Sequence, residues 1–284
     1  MPELPEVETI VRDLNKKLKN KKIISVEILD KKVFHLVKSD LKNVVSKKIK
    51  AVKRRAKMII FDLGDYLLMV HLKMTGQLVY QIKNFLIAGG HPIINQAKEL
   101  PNKFSRVVFK FNDKGILYFN DVRRFGWIKL ISKNNFLKFN NELGVEPLEK
   151  DFTLDYFKNF LSHKLKTSIK QALLEQKYVV GIGNIYADES LFAAGIKPFR
   201  KVKTLSAVEI KKLWSVIPKI LKYAIKHRGT SFNDYVDAQG ETGNFIKYLK
   251  VYGRAGERCK KCSGVIKKMK LGGRGTHWCD KCQK

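Results

Sequence analysis

Four cysteines carry the plainest chemistry in this chain. Cys259, Cys262, Cys279 and Cys282 stand as C-x2-C, a longer loop, then C-x2-C. Two close pairs separated by a loop can bring four thiolates to the corners of a tetrahedron, the geometry that suits Zn2+. Four thiolates leave no open position for water, so the expected cofactor is one structural Zn2+ and not a catalytic one. Two disulfides are the alternative pairing, although nothing else in the sequence indicates an oxidising compartment. Lys267, Lys268, Lys270 and Arg274 lie between the pairs. A metal-pinned hairpin would therefore hold out cations.

Two further stretches have residue types suited to chemistry. Pro2 as second residue permits removal of Met1, after which the chain would begin with a secondary amine. Such an amine can add to an electrophilic carbon and form an iminium, which an amide nitrogen cannot do. A helix starting within a few residues would disfavour the protonated amine and lower its pKa. Glu3 is adjacent and could move a proton. The same Pro-Glu pair also reads as an ordinary helix start. Farther on, Gly181-Ile182-Gly183-Asn184 forms a tight turn between two helical runs, with Asn184 placed to cap the second. Free N–H groups at a helix start bind phosphate well, but a purely structural helix hairpin would carry the same residues.

Charge narrows the partner. The 284-residue chain holds 57 Lys and Arg against 26 acidic residues, a net charge of +31. A field of that sign favours polyanions and speeds their encounter. A single run such as Lys16 to Lys22 reads equally as solvated surface; the whole excess points to nucleic acid. Hydrophobic residues make up 44%, enough for real cores, and no apolar run is long enough to span a bilayer. Glu3, Glu6 and Glu8 sit where a signal peptide would need a basic, then apolar stretch. A cytoplasmic, nucleoid-associated monomer without membrane contact is expected.

The elements that must position these groups follow from periodicity. Leu4, Val7, Ile10, Val11, Leu14 and Leu18 fall on one face of a helix. After Lys22 come β-rich runs (IISVEIL, MIIFDL, YLLMVHL, QLVYQI, RVVFKF, ILYFN) separated by turn residues such as Leu63-Gly64-Asp65. Helical periodicity takes over in 153–161, 167–176, 185–194 and 206–227, with Gly195 and Pro198 closing the third. The fold expected is α+β: an N-terminal β-sandwich with a terminal helix, then a helical domain bearing a zinc-finger β-hairpin. The boundaries expected are 1–133 for the catalytic β domain, 134–152 for a linker, 153–228 for the helical domain, 229–247 for a loop region and 248–284 for the zinc finger. Residues 82–102 fit poorly and are expected to be a loop insertion.

Taken together, MPELPEVET, the 176–196 string and the segment Gly272-Gly273-Arg274-Gly275-Thr276-His277-Trp278-Cys279 closely resemble bacterial formamidopyrimidine-DNA glycosylases, from Pro2 to Lys284. The resemblance implies a helix–two-turn–helix motif and a bifunctional repair glycosylase and lyase. Its substrates would be double-stranded DNA containing 8-oxoguanine, formamidopyrimidines or abasic sites. By that likeness Pro2 is the nucleophile, Glu3 the acid/base and Glu6 a supporting acid. Lys57, in Arg54-Arg55-Ala56-Lys57, assists β-elimination. Met74 and, from Asp121-Val122-Arg123-Arg124-Phe125-Gly126, Arg123 and Phe125 fill the gap left by an extruded nucleotide. Asn184 binds phosphate, Lys166 and Lys170 add backbone contacts, and Arg274 grips the phosphates beside the lesion and aids δ-elimination. Ser231 to Phe245, with Asp234-Tyr235-Val236, is similar to the family's lesion-capping loop. Physically, a base must leave the stack before its sugar can be attacked, and an apolar wedge with a cation offsets the lost stacking. Without the likeness, Met74 and Phe125 would read as core residues.

The chain also departs from that pattern. Where the family commonly has Lys-His-x-His, this chain has Lys103-Phe104-Ser105-Arg106, so a DNA-contacting histidine is missing; His71, Lys103 and Arg106 are the candidates to replace it. The usual proline before Arg123 is Val122. Two rival functions remain: an endonuclease VIII-like glycosylase for oxidised pyrimidines, against which Leu4 argues because those enzymes typically carry glycine there, and a zinc-ribbon DNA-binding protein without catalysis. His35, His91, His163 and His227 are expected at the surface or in packing.

Overall fold

The computed structural model describes residues 1–35, 38–83, 85–90, 100–230 and 244–284. It divides into two compact units, Met1–Asn141 with Arg228–Asn244, and Glu142–His227 with Phe245–Lys284. Most of the expected lesion-capping loop, including Asp234-Tyr235-Val236, and His91 lie outside the described residues.

In the first unit, helix α1 (Leu4–Leu18) is followed by ten strands: β1 (Ile23–Ile28), β2 (Phe34–His35), β3 (Ala51–Arg55), β4 (Met58–Asp62), β5 (Tyr66–His71), β6 (Gly76–Ile82), β7 (Phe85–Gly90), β8 (Ser105–Phe111), β9 (Ile116–Asp121) and β10 (Trp127–Ser132). They form two five-stranded sheets, ordered β1-β8-β9-β6-β7 and β2-β10-β5-β4-β3. Leu4, Val7, Ile10, Val11, Leu14 and Leu18 are all buried on one face of α1. That face shares one core with Phe61, Leu68 and Val70 of one sheet and Val107, Phe109 and Phe119 of the other. Strand β4 is buried along its whole length because its second face is also covered: Ile60, Leu67 and Met69 pack with Phe136 and Phe139 of helix α2 (Lys133–Asn141).

The structure corrects the reading of 82–102 as a loop. Ile82 closes β6, and Phe85–Gly90 pairs antiparallel with it, from Ile82↔Phe85 to Gln77↔Gly90. The run is apolar without alternation because Leu86 and Ala88 pack against Val79, Val108 and Tyr118, which hides the period-2 signature of a one-sided strand.

The second unit contains α3 (Leu154–Ser162), α4 (Ile169–Leu173), α5 (Asn184–Ala194) and α6 (Ala207–Lys226), then the hairpin β11 (Ile266–Leu271) and β12 (Arg274–Cys279). Thr153 and Ser168 cap α3 and α4, and a Ser206–Glu209 capping box starts α6. Gly195 ends α5 in a left-handed cap. No described helix is long and apolar enough to cross a membrane. The architecture is α+β, as the strand and helix patterns imply.

Candidate functional site

Register places three connections of the first unit side by side. His71 pairs with Met58 across β4–β5 and with Trp127 across β5–β10, while Gly76 pairs with Asp121 across β6–β9. The β3–β4 turn bearing Lys57, the β5–β6 connection bearing Met74 and the β9–β10 connection bearing Arg123 and Phe125 therefore leave the sheets at the same end.

The chain terminus is fixed by its own first turn. Glu3 is the N-cap of α1 and forms a reciprocal capping box with Glu6; the Glu3 N–H donates to Glu6 Oε2 at 2.9 Å. Glu6 Oε1 also accepts from the Thr230 N–H at 2.7 Å and from its hydroxyl at 3.0 Å. Gly229 allows this approach: its φ is +76°, and a Cβ there would lie 2.7 Å from Glu6 Oε1. Glu3 is buried and Pro2 half-buried. The terminal amine, carried by Met1 in the full sequence, is lowered from its ordinary value. Burial is the main cause and Lys57 adds to it, while Glu3 and Glu6 pull the other way. The chain terminus, Glu3, Glu6 and Lys57 thus share one electrostatic neighbourhood, with Pro2 next to the terminus in sequence.

Lys57 is 7% exposed, in a two-residue turn. The turn is tied to α1 through Arg54, whose Nε donates to Glu8 Oε2 at 2.9 Å and whose Nη1 donates to the Ala56 carbonyl at 3.1 Å. Burial pushes the Glu8 carboxyl up, but Arg12 and Arg54 outweigh it and hold it below the usual range. His71 is pushed down to about 3, by burial first and then by Lys73 and Lys57. Its Nδ1 accepts from the Lys73 N–H at 3.0 Å. A neutral imidazole is no phosphate-pairing cation, which weakens its candidacy as a replacement for the missing histidine.

Met74 and Phe125 are 44% and 52% exposed, so neither belongs to the core. The Arg123 guanidinium lies over the Phe125 ring at 4.6 Å. Behind these side chains sits Asp121, with no exposure. Its Oδ1 accepts from Thr75 Oγ1 at 2.5 Å and from the Arg123 N–H at 3.1 Å, and its Oδ2 accepts from the Gly126 N–H at 2.7 Å. A Cβ at Gly126 would sit 2.8 Å from the Phe119 ring and 3.0 Å from Asp121. One carboxylate thus joins both exposed connections, and nothing local in the sequence marked it. Arg106, a candidate DNA contact, is turned inward instead: it is 7% exposed and its Nε donates to the Asp121 carbonyl at 2.8 Å.

In the second unit Arg274 is exposed at the start of β12, just after the Gly272-Gly273 turn. Lys166 is also exposed. Lys170 is not; the phosphate-contact expectation is corrected by its surroundings. Its side chain is 1% exposed and its ammonium lies 2.7 Å from Asp188 Oδ1. It also donates to the Gly275 carbonyl at 3.0 Å and to Thr276 Oγ1 at 2.9 Å. Asp188 Oδ2 accepts from the His277 N–H at 2.9 Å. This buried pair holds β12 against α5. The expected Asn184 cap is likewise corrected: Gly183 is the N-cap of α5, and Asn184 is the first helical residue. Its Nδ2 donates to the Gly275 carbonyl at 2.9 Å, and its Oδ1, the atom a cap would use, accepts no hydrogen bond from the described residues. Glu189 also went unnoticed in the sequence. Burial pushes its carboxyl up, and it accepts from the N–H groups of Lys250, Val251 and Tyr252 at 2.9–3.1 Å.

The four cysteine sulfurs all lie within 4.8 Å of one another. Cys259 Sγ is 3.8 Å from Cys282 Sγ, and Cys262 Sγ is 3.4 Å from Cys279 Sγ. A Zn–S bond of about 2.3 Å sets tetrahedral S···S separations of about 3.8 Å, and none of the cysteines is in a disulfide. The donor set fits one structural Zn2+. The Lys261 N–H, pointing at Cys259 Sγ at 3.4 Å, supplies the outer support such thiolates usually have.

Comparison with known proteins agrees with this geometry along the whole chain. Residues 1–128 match the formamidopyrimidine-DNA glycosylase N-terminal domain, 143–235 its H2TH domain, and 256–284 the zinc finger found in FPG and IleRS. The chain belongs to the formamidopyrimidine-DNA glycosylase family. It is 42% identical over 289 residues to the formamidopyrimidine-DNA glycosylase of Pelotomaculum thermopropionicum, covering 100% of this chain and 99% of that protein. It is also 42% identical over 287 residues to that of Carboxydothermus hydrogenoformans, covering 100% of both. Among solved structures it is similar to a point mutant of Lactococcus lactis FPG in complex with Fapy-dG-containing DNA, with a TM-score of 0.88 and 37% identity over 100% of both chains. It is similar too to Lactococcus lactis Fpg in complex with DNA containing an abasic site, with a TM-score of 0.87 and 36% identity over 99% of both. For this family member, zinc is therefore a structural cofactor and the enzyme class is a DNA glycosylase.

Proposed function

We propose that this glycosylase removes oxidised purines from double-stranded DNA through a Schiff base on Pro2 and then cleaves the strand at the resulting site. The observation that carries the reading is the placement of half-buried Pro2 directly before the buried N-cap Glu3, in a chain end that Glu6 fixes through the Glu3 and Thr230 N–H groups. Supporting it are relatives in complex with Fapy-dG DNA and abasic DNA and the chain's charge of +31. The setting in the cell is the cytoplasm, on chromosomal DNA.

The steps follow from the groups. With Met1 removed, the Pro2 nitrogen donates its lone pair to C1′ of the damaged nucleotide, and the C1′–N bond to the base breaks. The proton released from the Pro2 nitrogen goes to the departing base, and the buried carboxyl of Glu3 protonates the ring oxygen so that the sugar opens to the C1′ iminium; the carboxylate left behind can then take the C2′ proton. The iminium makes the C2′ proton acidic; its loss expels the 3′ phosphate, and a second elimination expels the 5′ phosphate. Lys57, in the β3–β4 turn, pairs with phosphate. Met74, Arg123 and Phe125 occupy the vacated stack. Asn184, Lys166 and Arg274 hold the backbone.

A single-turnover panel tests the substrate class, using duplexes containing 8-oxoguanine opposite cytosine, formamidopyrimidine or thymine glycol. Faster excision of the two purine lesions is expected. Preferential excision of thymine glycol would replace this reading with the oxidised-pyrimidine one.

A further inference from the structure

The connection bearing Arg123 and Phe125 is strained and little covered. Arg124 has a φ of +58°, and Lys73 in the neighbouring connection has a φ of +50°, backbone states that non-glycine residues hold only when their surroundings impose them. Val122 is 41% exposed and lies outside the hydrophobic core that anchors the strands. A proline there would stiffen the segment by fixing its own φ and by keeping Asp121 extended, which suits Asp121 as the last residue of β9.

Something else must supply that stiffness, and Arg106 has the contacts to do so. Its side chain is 8% exposed. Its Nε donates to the Asp121 carbonyl at 2.8 Å, and its Nη1 donates to the Lys103 carbonyl at 3.2 Å and lies 3.9 Å from Asp30 Oδ2. The Arg106 carbonyl accepts from the N–H groups of Leu29 and Asp30 at 2.8 and 3.1 Å, so the guanidinium is mounted at the β8 irregularity between Ser105 and Val107, tied to the residues that follow β1. Asp30 in turn lies 3.0 Å from Arg124 Nε. Asp121, fixed from behind in this way, presents its carboxylate to Thr75, Arg123 and Gly126. The chain of contacts runs from β8 to both exposed connections without a gap.

We propose that Arg106 is a positioning residue whose guanidinium, locked on the Asp121 carbonyl, holds the Arg123–Phe125 connection ready for insertion and takes over the stiffening a proline at 122 would give. It therefore acts through Asp121 and touches no phosphate. The proposal rests on the stack-filling reading of Met74, Arg123 and Phe125.

The experiment uses full-length, zinc-loaded protein as wild type, R106Q, V122P, R106Q/V122P and F125A. Three quantities are read on an 8-oxoguanine duplex: single-turnover excision rate, duplex Kd, and extrusion monitored by 2-aminopurine beside the lesion. R106Q should slow extrusion and excision about tenfold, since small misplacements of positioned groups cost that much or more, with Kd within about twofold of wild type. V122P alone should match wild type, and V122P added to R106Q should recover to within about threefold of it. If Kd weakens in step with the rate, Arg106 is a phosphate ligand and the proposal is overturned. It is equally overturned if V122P leaves R106Q uncorrected, or if V122P alone is as slow as R106Q. F125A separates the two layers. If F125A abolishes extrusion and R106Q spares it, positioning fails alone; if both spare it, the stack-filling reading fails. Should R106Q not fold, R106K, which keeps the charge and loses the guanidinium fork, takes its place with the same expected direction.

Discussion

The two units hold their functional groups by different means. In the first, the reactive groups sit on a chain end and on bent connections, and carboxylates that gather backbone N–H groups fix them: half-buried Glu6 for the terminus and buried Asp121 for the exposed connections. In the second, Arg274 rides on a short hairpin clamped at one side by four thiolates and at the other by the Lys170–Asp188 pair. Neither device is large. A hairpin alone is marginal in water, and a helix start alone frays. The lesson is that each unit brings a covalent-like or charged anchor to the place where hydrophobic burial gives out.

This contrast can be broken from either side, and the metal clamp should break hardest. Structural zinc contributes on the order of 10 kcal/mol to folding in comparable small fingers. C279S is therefore expected to lose bound zinc and the order of Ile266–Cys279, read by metal analysis and amide exchange, while α1 and the two sheets keep their protection. Loss of protection in both units would show that they do not hold their sites independently. Next in size is the ion pair: K170M strands a buried carboxylate, a change that typically costs about 3–5 kcal/mol. Its thermal midpoint should fall well below wild type. A drop no larger than that for an exposed lysine such as Lys166 would remove Lys170 from the clamp.

The first unit's carboxylate anchor is smaller. E6A leaves the Glu3 and Thr230 N–H groups without their acceptor, for about 1–3 kcal/mol, and amide exchange at Glu3 and Thr230 should rise in that variant. Unchanged exchange would mean the terminus is held by α1 packing alone. Smallest is the effect of His71. With its folded value near 3 and an ordinary value of about 6.5, it stays neutral in the folded protein while the unfolded chain takes up a proton below pH 6.5. Its contribution is complete above that pH and fades as pH falls toward 3, by about 1–2 kcal/mol at pH 5. H71Q should flatten the fall in stability between pH 6.5 and 4. A steeper fall would contradict the neutral assignment.

How much of this was legible in sequence follows the same divide. The cysteine pairs, the helical face of α1 and the Gly195 stop depend on neighbours a few residues away, so spacing alone reveals them. Asn184 and Lys170 depend on Gly275, which is 91 and 105 residues distant; local rules gave Asn184 a cap, and the family resemblance gave Lys170 a phosphate. Arg106 reads as an exposed cation until its partner, the Asp121 carbonyl, is known. Strand β7 was hidden by burial on its outer face, which removes alternation. Pro2 is a separate case: its chemistry is readable, yet an ordinary helix start has the same residues, and only the resemblance across the whole chain separates the two.

Borohydride trapping on an abasic duplex measures most directly whether Pro2 is the nucleophile. Protein whose Met1 loss is verified by intact mass should form a covalent adduct that maps to Pro2. A Pro2→Gly variant should trap and excise far less, and protein retaining Met1 should trap none. An adduct of undiminished yield from Met1-retaining protein, or one mapping to Lys57, would contradict the account.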